Sequence, residues 1–298
     1  MSEEKQINDR LGGEQSLAPR EKPMKAFVGK FLGRKTAVAA ACFIILLFII
    51  AIIAPAISPY DAAAPDYDRI LQGPGPGHVF GTDEYGRDIL SRLLAGSRIS
   101  LAVSLSSVTI GAIVGAFLGI IAGYYGGWAD RLIMRTCDVL FAFPDLLLAI
   151  AIVAVIGPGL SNVVIAVAVF SVPSFARIMR SSTLSVKQSL YVEVARSLGC
   201  SNASIMWKHI FPGTVASIIV NFTMRIGTAI LAAASLSFLG FGAKPTEPDW
   251  GAMLSTGRNY LGIAPHIVYF SGGIIFLTVL AFNLFGDGLR DTLDPKIQ

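Results

Sequence analysis

The sequence predicts an all-α integral membrane protein with six transmembrane helices, and three observations support this prediction. Hydrophobic residues make up 53% of the 298 residues and charged residues only 15%, whereas soluble domains carry about 25% charged residues. The apolar residues form long blocks, most of them close to the roughly 17–25 residues that cross a bilayer. Lysine and arginine are concentrated in alternate loops between these blocks. Lipid is therefore the expected solvent for most of the chain.

Six apolar blocks define the predicted spans, at residues 37–57, 99–123, 139–156, 163–176, 213–239 and 267–285, and the fourth is long enough if it starts near residue 160. The first block is no signal peptide, because about 36 residues precede it and five further spans follow. We expect a disordered N-terminal tail over residues 1–35, a first transmembrane helix over 36–57 and an external loop over 58–98. A core domain over 99–290 contains a cytoplasmic loop at 177–209, and a cytoplasmic tail covers 291–298.

The distribution of basic residues predicts the topology. If the N-terminus is cytoplasmic, 17 of the 24 lysines and arginines lie on that side, six lie in loops on the other side, and Arg225 lies within a span. This is the positive-inside pattern of a bacterial inner-membrane protein, so both termini are predicted to be cytoplasmic. The net charge of +4 then indicates contact with anionic lipid headgroups and not with nucleic acid.

No catalytic or metal-binding pattern is present. The sequence lacks a G-x-x-x-x-G-K-[ST] phosphate loop, an H-E-x-x-H pair and a G-x-S-x-G elbow. The three histidines, His78, His209 and His266, lie in different loops and cannot be paired as ligands by spacing. We therefore expect no enzymatic activity in this chain and no cofactor, metal or nucleotide bound by it.

The second span carries a glycine at every fourth position, at Gly111, Gly115, Gly119 and Gly123. Small residues at this spacing let a second helix approach closely. The alternative is the ordinary glycine enrichment of membrane helices. We expect this face to contact protein.

The cytoplasmic segment before the fifth span reads as helix, sharp turn and helix. Residues 193–198 favour a helix, Gly199 can adopt the left-handed conformation that ends it, and Ser201 or Asn202 can cap the next helix. Pro212 is expected to mark the start of the fifth span.

This segment resembles the EAA signature of ABC importer permeases, in which E-A-A is followed after three residues by G and after nine more by I-x-L-P. Glu193, Ala195, Gly199 and Pro212 match at this spacing. Val194, His209 and Phe211 depart from the general pattern, and the ending His-Ile-Phe-Pro is similar to the peptide and nickel branch. Other stretches resemble the second (C-type) permease of dipeptide, oligopeptide and nickel importers, namely FGTDEYGRD at 80–88, FPDLLL at 143–148, SFLG at 237–240 and NLFGDGLRDTLDP at 283–295.

The resemblance implies a type I importer fold with a cytoplasmic coupling loop, and it implies partners. These are a homologous second permease that completes a heterodimer, two ATPase subunits that bind ATP and Mg, and an external solute-binding protein. Glu193, Ala195, Arg196, Gly199 and Pro212 are then the residues expected to couple this chain to an ATPase. Small peptides are the expected cargo, and nickel, haem, glutathione or another small solute remains open.

A transporter of a different class, driven by protons or sodium, is the main competing hypothesis. Asp145 is the only carboxylate placed well inside a predicted span, and a proton relay normally needs more than one such group.

A polar stripe lies on one face of the fifth span, at Asn221, Arg225, Thr228 and Ser235. An arginine near the bilayer centre that faced lipid would cost about 2.5 kcal/mol or more. The stripe therefore faces either a translocation cavity, where Arg225 could meet a substrate carboxylate, or another helix with which Arg225 pairs. The sequence leaves both alternatives open.

The external loop offers a candidate contact for the partner permease or the binding protein at Asp83, Arg87 and Asp88. The alternative is a solvated turn that orders the loop. Trp250, with Tyr260 and Tyr269, is expected to belong to an interfacial aromatic belt.

Overall fold

A computed structural model describes residues 23–244 and 246–293, and within them the regular structure is helical apart from two isolated β-bridges. The helices are α1 (Pro23–Leu32), α2 (Lys35–Ile57), α3 (Ile89–Tyr125), α4 (Gly127–Phe141), α5 (Asp145–Ile156), α6 (Leu160–Lys187), α7 (Leu190–Ser197), α8 (Asn202–Phe238), α9 (Trp250–Arg258) and α10 (His266–Leu293). The predicted all-α class is confirmed. The expected disorder over residues 1–35 is wrong for residues 23–32, which form α1. The rest of the prediction for the N-terminal tail, and most of the predicted C-terminal tail, fall on residues 1–22 and 294–298, which lie outside the described residues.

Five of the helices, α2, α3, α6, α8 and α10, are long and apolar enough to cross a membrane. The predicted third span, residues 139–156, is instead broken, since α4 and α5 meet at a bend of 92°. Pro144 causes the break because proline disfavours helical backbone in the residue before it. α5 has 12 residues, or about 18 Å of helix, which is shorter than the roughly 30 Å hydrocarbon core. A sixth span exists only if the bent pair is counted as one.

The second span begins ten residues before its predicted start at residue 99, so the external loop ends at Asp88. The Asp88 carboxylate caps α3 by accepting a hydrogen bond from the Ser91 backbone N–H at 2.8 Å. Ile89 and Arg92 in the first turn are buried. The charges of Arg92 and Arg98 favour a loop for this stretch in the sequence, whereas folding buries Arg92 within the bundle and leaves Arg98 exposed on the same helix.

The glycine face of α3 lies directly against α6. A Cβ atom added at Gly111, Gly115, Gly119 or Gly123 would stand within 2.8 Å of atoms of α6. Each glycine therefore occupies a place where a side chain would separate the two backbones. α3 and α6 form the closest helix pair of the bundle and position the elements attached to their ends.

The end of α1 and the residue before α2 are joined to the end of α10. The Phe31 ring meets the Phe285 ring edge to face, with their centroids 5.9 Å apart. The Arg34 guanidinium forms an ion pair with the Asp291 carboxylate. These contacts bring the first and last spans together at the same end of the bundle.

Candidate functional site

The short helix α7 lies between two spans and ends in a sharp turn. Val192 and Ala195 are buried against the bundle, whereas Glu193 is exposed. At the turn Gly199 has a φ of +78°, and the Cys200 N–H donates to the Ala195 carbonyl at 3.1 Å. This left-handed conformation strains residues with a Cβ atom, so glycine suits the position. The helix and the turn expected from the sequence are both present.

The segment after the turn is continuous with the fifth span, and the regular α-helix of that span begins at Phe211 with Pro212 in its first turn, as expected from the sequence. α8 starts at Asn202 and runs for 37 residues, with the Ser201 hydroxyl accepting a hydrogen bond from the Ser204 N–H at its start. Residues Ile205–Ile210 are π-helical, and the Phe211 N–H donates to the Met206 carbonyl. Pro212 has no N–H to donate, and the wider π-helical turn before it carries the helix through this position.

Two side chains outside the predicted coupling residues fasten this segment to α3. The Tyr124 hydroxyl donates to the Asn202 side-chain oxygen at 2.7 Å, and the Lys187 ammonium donates to the Tyr124 carbonyl at 2.6 Å. A small apolar cluster lies beneath them, formed by Ile120, Tyr124, Met179, Val192, Ile205, Met206 and Ile210. Sequence reasoning missed Tyr124, although its position one residue after Gly123 placed it at the end of the glycine face.

The outer face of α7 is apolar and exposed. Leu190 is 75% exposed, Val194 48% and Leu198 79%. These residues are four apart and form one stripe along the short helix. Arg196 and Glu193 are exposed beside the stripe. An apolar stripe rimmed by charges is the composition of a surface that binds another protein.

The polar stripe of α8 is divided between several contacts. Arg225 Nη1 lies 3.4 Å from Asp145 Oδ2 on α5. The Thr228 and Ser235 hydroxyls donate to carbonyls of their own helix. Asn221 lies 3.5 Å from the Ser174 hydroxyl and lines a cleft of about 480 Å³ between α6, α8 and α10. Arg225 is thus paired with another helix, and of the four stripe residues Asn221 lines this cleft, while a role of the stripe in a translocation pathway stays a prediction.

The side chains proposed as an external contact are buried, and that expectation is wrong for Asp83, Arg87 and Asp88, which are 3–5% exposed. Asp83 Oδ2 accepts a hydrogen bond from Arg87 Nε at 2.7 Å. The second carboxylate oxygen of Asp83 accepts from the backbone N–H groups of Tyr85 and Arg87 at 2.9 Å each. Asp88 caps α3 and lies 2.9 Å from His78 Nδ1. These three charges fold the loop internally and are not available as a contact surface.

The folded loop also rests on the start of α10. The Phe80 ring stacks on the Phe270 ring with centroids 4.0 Å apart, and His266 Nε2 lies 3.2 Å from the Thr82 carbonyl. Within the loop, burial raises the pKa of Glu84, and the neighbouring Asp83 raises it further. The loop therefore forms a compact cap on this end of the bundle, called the external cap because the predicted topology places it outside.

Trp250 does not belong to an interfacial belt. Its side chain is 1% exposed, and its indole N–H donates to the Leu93 carbonyl at 3.1 Å. Tyr269, in contrast, is 69% exposed. The sequence could not separate the two because burial of Trp250 depends on its contact with Leu93, which is distant in the chain.

The described residues contain no group of three or more histidine, cysteine, aspartate or glutamate side chains that could hold a metal ion. His78 and His266 are engaged with the external cap.

Comparisons with known proteins identify the family. Residues 115–298 match the family described as binding-protein-dependent transport system inner membrane component. Residues 22–74 match the N-terminal transmembrane domain of oligopeptide transport permease C. Together the two regions include the first span, the coupling segment and the polar stripe.

Two curated relatives are similar over almost the whole chain. The glutathione transport system permease protein GsiD of Pectobacterium atrosepticum is 56% identical over 93% of this chain and 92% of its own length. The protein of the same name from Escherichia coli O6:K15:H31 is 58% identical over 93% and 91%.

Solved structures agree on the fold. A chain of the MetNI methionine ABC transporter in an inward-facing conformation matches with a TM-score of 0.56 at 18% identity, over 69% of this chain and 98% of that one. An amino acid ABC transporter with histidines matches with a TM-score of 0.52 at 19% identity, over 66% and 92%. The apolar helices, the coupling segment and these matches lead to one conclusion: this chain belongs to the binding-protein-dependent inner-membrane transport components and is a multi-pass permease subunit of an ABC importer.

Proposed function

We propose that this permease subunit carries small peptides into the cell and that glutathione is its favoured cargo. The identity of 56–58% with glutathione permeases, over more than 90% of both chains, carries this proposal. The competing ion-coupled mechanism would need Asp145 to bind the coupling ion. This carboxylate is instead paired with Arg225.

We propose further that the working assembly contains a homologous second permease, two ATPases that bind ATP and Mg, and an external binding protein. The chain would supply half of the pathway. Gentle purification of the tagged chain, mass spectrometry of its companions and ATP-dependent uptake into proteoliposomes test both proposals. Recovery of these partners with uptake of glutathione, and not of nickel, is the expected result. Recovery of a lone chain that still transports would contradict the assembly.

The exposed stripe of α7 is the proposed ATPase-binding surface. Burying Leu190, Val194 and Leu198 in a groove would remove three large apolar side chains from water, worth about 1.5–3 kcal/mol each when burial is complete. Glu193 and Arg196 would then contact charged groups at the rim. Motion of a bound ATPase would pass through the Gly199 turn and the Tyr124–Asn202 hydrogen bond into the bundle.

Substitution of Gly199 tests this coupling role. Proline cannot adopt the observed φ of +78°, because its ring fixes φ near −65°. Gly199→Pro should leave membrane insertion intact and abolish transport-coupled ATP hydrolysis. Gly199→Asn is the matched control, because asparagine tolerates left-handed backbone, and it should retain coupling. Coupled hydrolysis in the proline variant would refute the role.

Both termini are proposed to be cytoplasmic. The excess of lysine and arginine on one side supports this orientation, and the Arg34–Asp291 ion pair supports placing both ends of the membrane domain together. Reporter enzymes that are active only in the cytoplasm, fused to either terminus, should both be active. Activity of only one fusion would contradict the topology.

A further inference from the structure

The Arg225–Asp145 ion pair lies in the middle of a membrane-spanning helix. Residues Phe211–Phe238 of α8 extend by about 20 Å on either side of Arg225. Asp145 is the first residue of α5, directly after the 92° bend. The Arg225 side chain is 16% exposed and that of Asp145 is 47% exposed. The pair is therefore deep within the helical region yet borders open space.

The two side chains use only part of each other's hydrogen-bonding capacity. A guanidinium has five N–H donors and a carboxylate has about four acceptor positions. Among the described residues, the hydrogen bonding of the Arg225 side chain consists of one contact, at 3.4 Å to Asp145. Strong arginine–carboxylate pairs are bidentate and shorter, at about 2.7–2.9 Å. Most of the donors of Arg225 and most of the acceptor capacity of Asp145 are left for another molecule.

The charges of the pair limit which molecule can insert. An anion that took Arg225 alone would leave Asp145 as an uncompensated charge away from bulk water, which is costly. A cation that took Asp145 alone would strand Arg225 in the same way. A molecule that carries both a carboxylate and an ammonium leaves neither member of the pair uncompensated, because its carboxylate meets the Arg225 guanidinium while its ammonium meets the Asp145 carboxylate.

We propose that Arg225 and Asp145 form a subsite that opens to admit a peptide carrying both a free carboxylate and a free ammonium, as glutathione does, during its passage through the permease. The substrate carboxylate binds the Arg225 guanidinium in bidentate fashion, and its free amino group, as ammonium, binds Asp145. The pair closes again when the peptide leaves. This inference rests on the proposed import of small peptides and assigns the chemical groups that this chain recognises.

Blocked peptides test the subsite in the reconstituted complete transporter. ATP-dependent uptake is measured for glutathione, its C-terminal amide and its N-acetyl derivative. The variant is the double neutral Arg225→Gln with Asp145→Asn, which removes both charges together and so leaves neither one buried alone. The binding protein is the same in every measurement, so a change in the ratio of free to blocked uptake isolates the contribution of this chain.

We expect the preference for free glutathione over each blocked form to fall about tenfold in the double variant, because a hydrogen-bonded charged contact is lost for each group. The matched control is Arg177→Gln with Asp138→Asn, which neutralises another ion pair, 3.0 Å long, between α6 and α4. The control should retain both ratios.

The outcomes separate the subsite from the importer. An assembled double variant with wild-type ratios overturns the subsite while peptide import stands. A double variant that fails to assemble with its partners assigns the pair a structural role and overturns the subsite as well. Absence of glutathione uptake by the wild-type complex overturns the peptide cargo itself, and the subsite falls with it.

Discussion

A single methyl group at Gly119 should separate the two most closely packed helices of the bundle. A Cβ atom there would stand 2.4 Å from the Ala176 carbonyl oxygen and 2.7 Å from the Met179 Cβ. Ordinary van der Waals contact lies near 3.5 Å, so α3 and α6 must move apart by about 1 Å. Ala176 and Met179 are fully buried and cannot swing into open space. Overpacking of this kind costs about 1–3 kcal/mol.

The assay is equilibrium unfolding of the purified chain in mixed micelles, followed by tryptophan fluorescence. Gly273→Ala on α10 is the matched control, because nothing lies within 4 Å of a Cβ atom at that position. Alanine is the better helix former by up to about 1 kcal/mol, so the control should be neutral or stabilising. The reasoning is refuted if Gly119→Ala is no less stable than Gly273→Ala.

Three further predictions concern the coupling segment and the external cap. Tyr124→Phe removes the hydroxyl that binds Asn202 at 2.7 Å, a contact worth about 1 kcal/mol. The variant should move less cargo per ATP hydrolysed, measured by uptake and phosphate release in one preparation. An unchanged ratio of cargo to phosphate would contradict this prediction. Leu198→Asp places a charge on a side chain that is 79% exposed; folding should be unaffected while recovery of the ATPase falls, and equal recovery would count against the α7 surface. Glu84→Gln should stabilise the chain relative to wild type at pH 7.5 but not at pH 4. Burial raises the pKa of Glu84, and the stability that its protonated form supplies is lost as pH rises through that value. Thermal unfolding of both proteins is measured at both pH values, and an equal difference in stability at the two would contradict the assignment.

The parts of the fold set by local patterns could be predicted from the sequence. Long apolar blocks define spans because only helices satisfy the backbone within lipid. The spacing of four between Gly111 and Gly115 already defines a helix face. Gly199 likewise ends a helix through its own backbone freedom. Each of these inferences needs only residues that are neighbours in the chain.

The features of the fold and of the site that the sequence did not predict depend on contacts between distant segments. Hydropathy cannot show that Pro144 turns the chain by 92°, because α4 and α5 are each apolar enough to contribute to a span. It reads Arg92 as a loop residue, although this side chain is 2% exposed within the bundle. Nor can spacing pair Arg225 with Asp145, which lies 80 residues away. Tertiary structure decides which charges are buried, and those charges set the external cap and the polar stripe.

The continuity of α8 joins the two functional surfaces. Asn202, at its first turn, is bonded to Tyr124 beside the coupling helix, and Arg225 lies about 35 Å further along the same helix. A break at Pro212 would have isolated these sites, but the helix runs through it by way of the π-helical turn at Ile205–Ile210. π-helical turns are less regular than α-helix and are frequent at functional sites. A displacement of α7 by a bound ATPase is therefore expected to reach the Arg225–Asp145 pair as a movement of one helix relative to α5, which is the movement that would part the two charges.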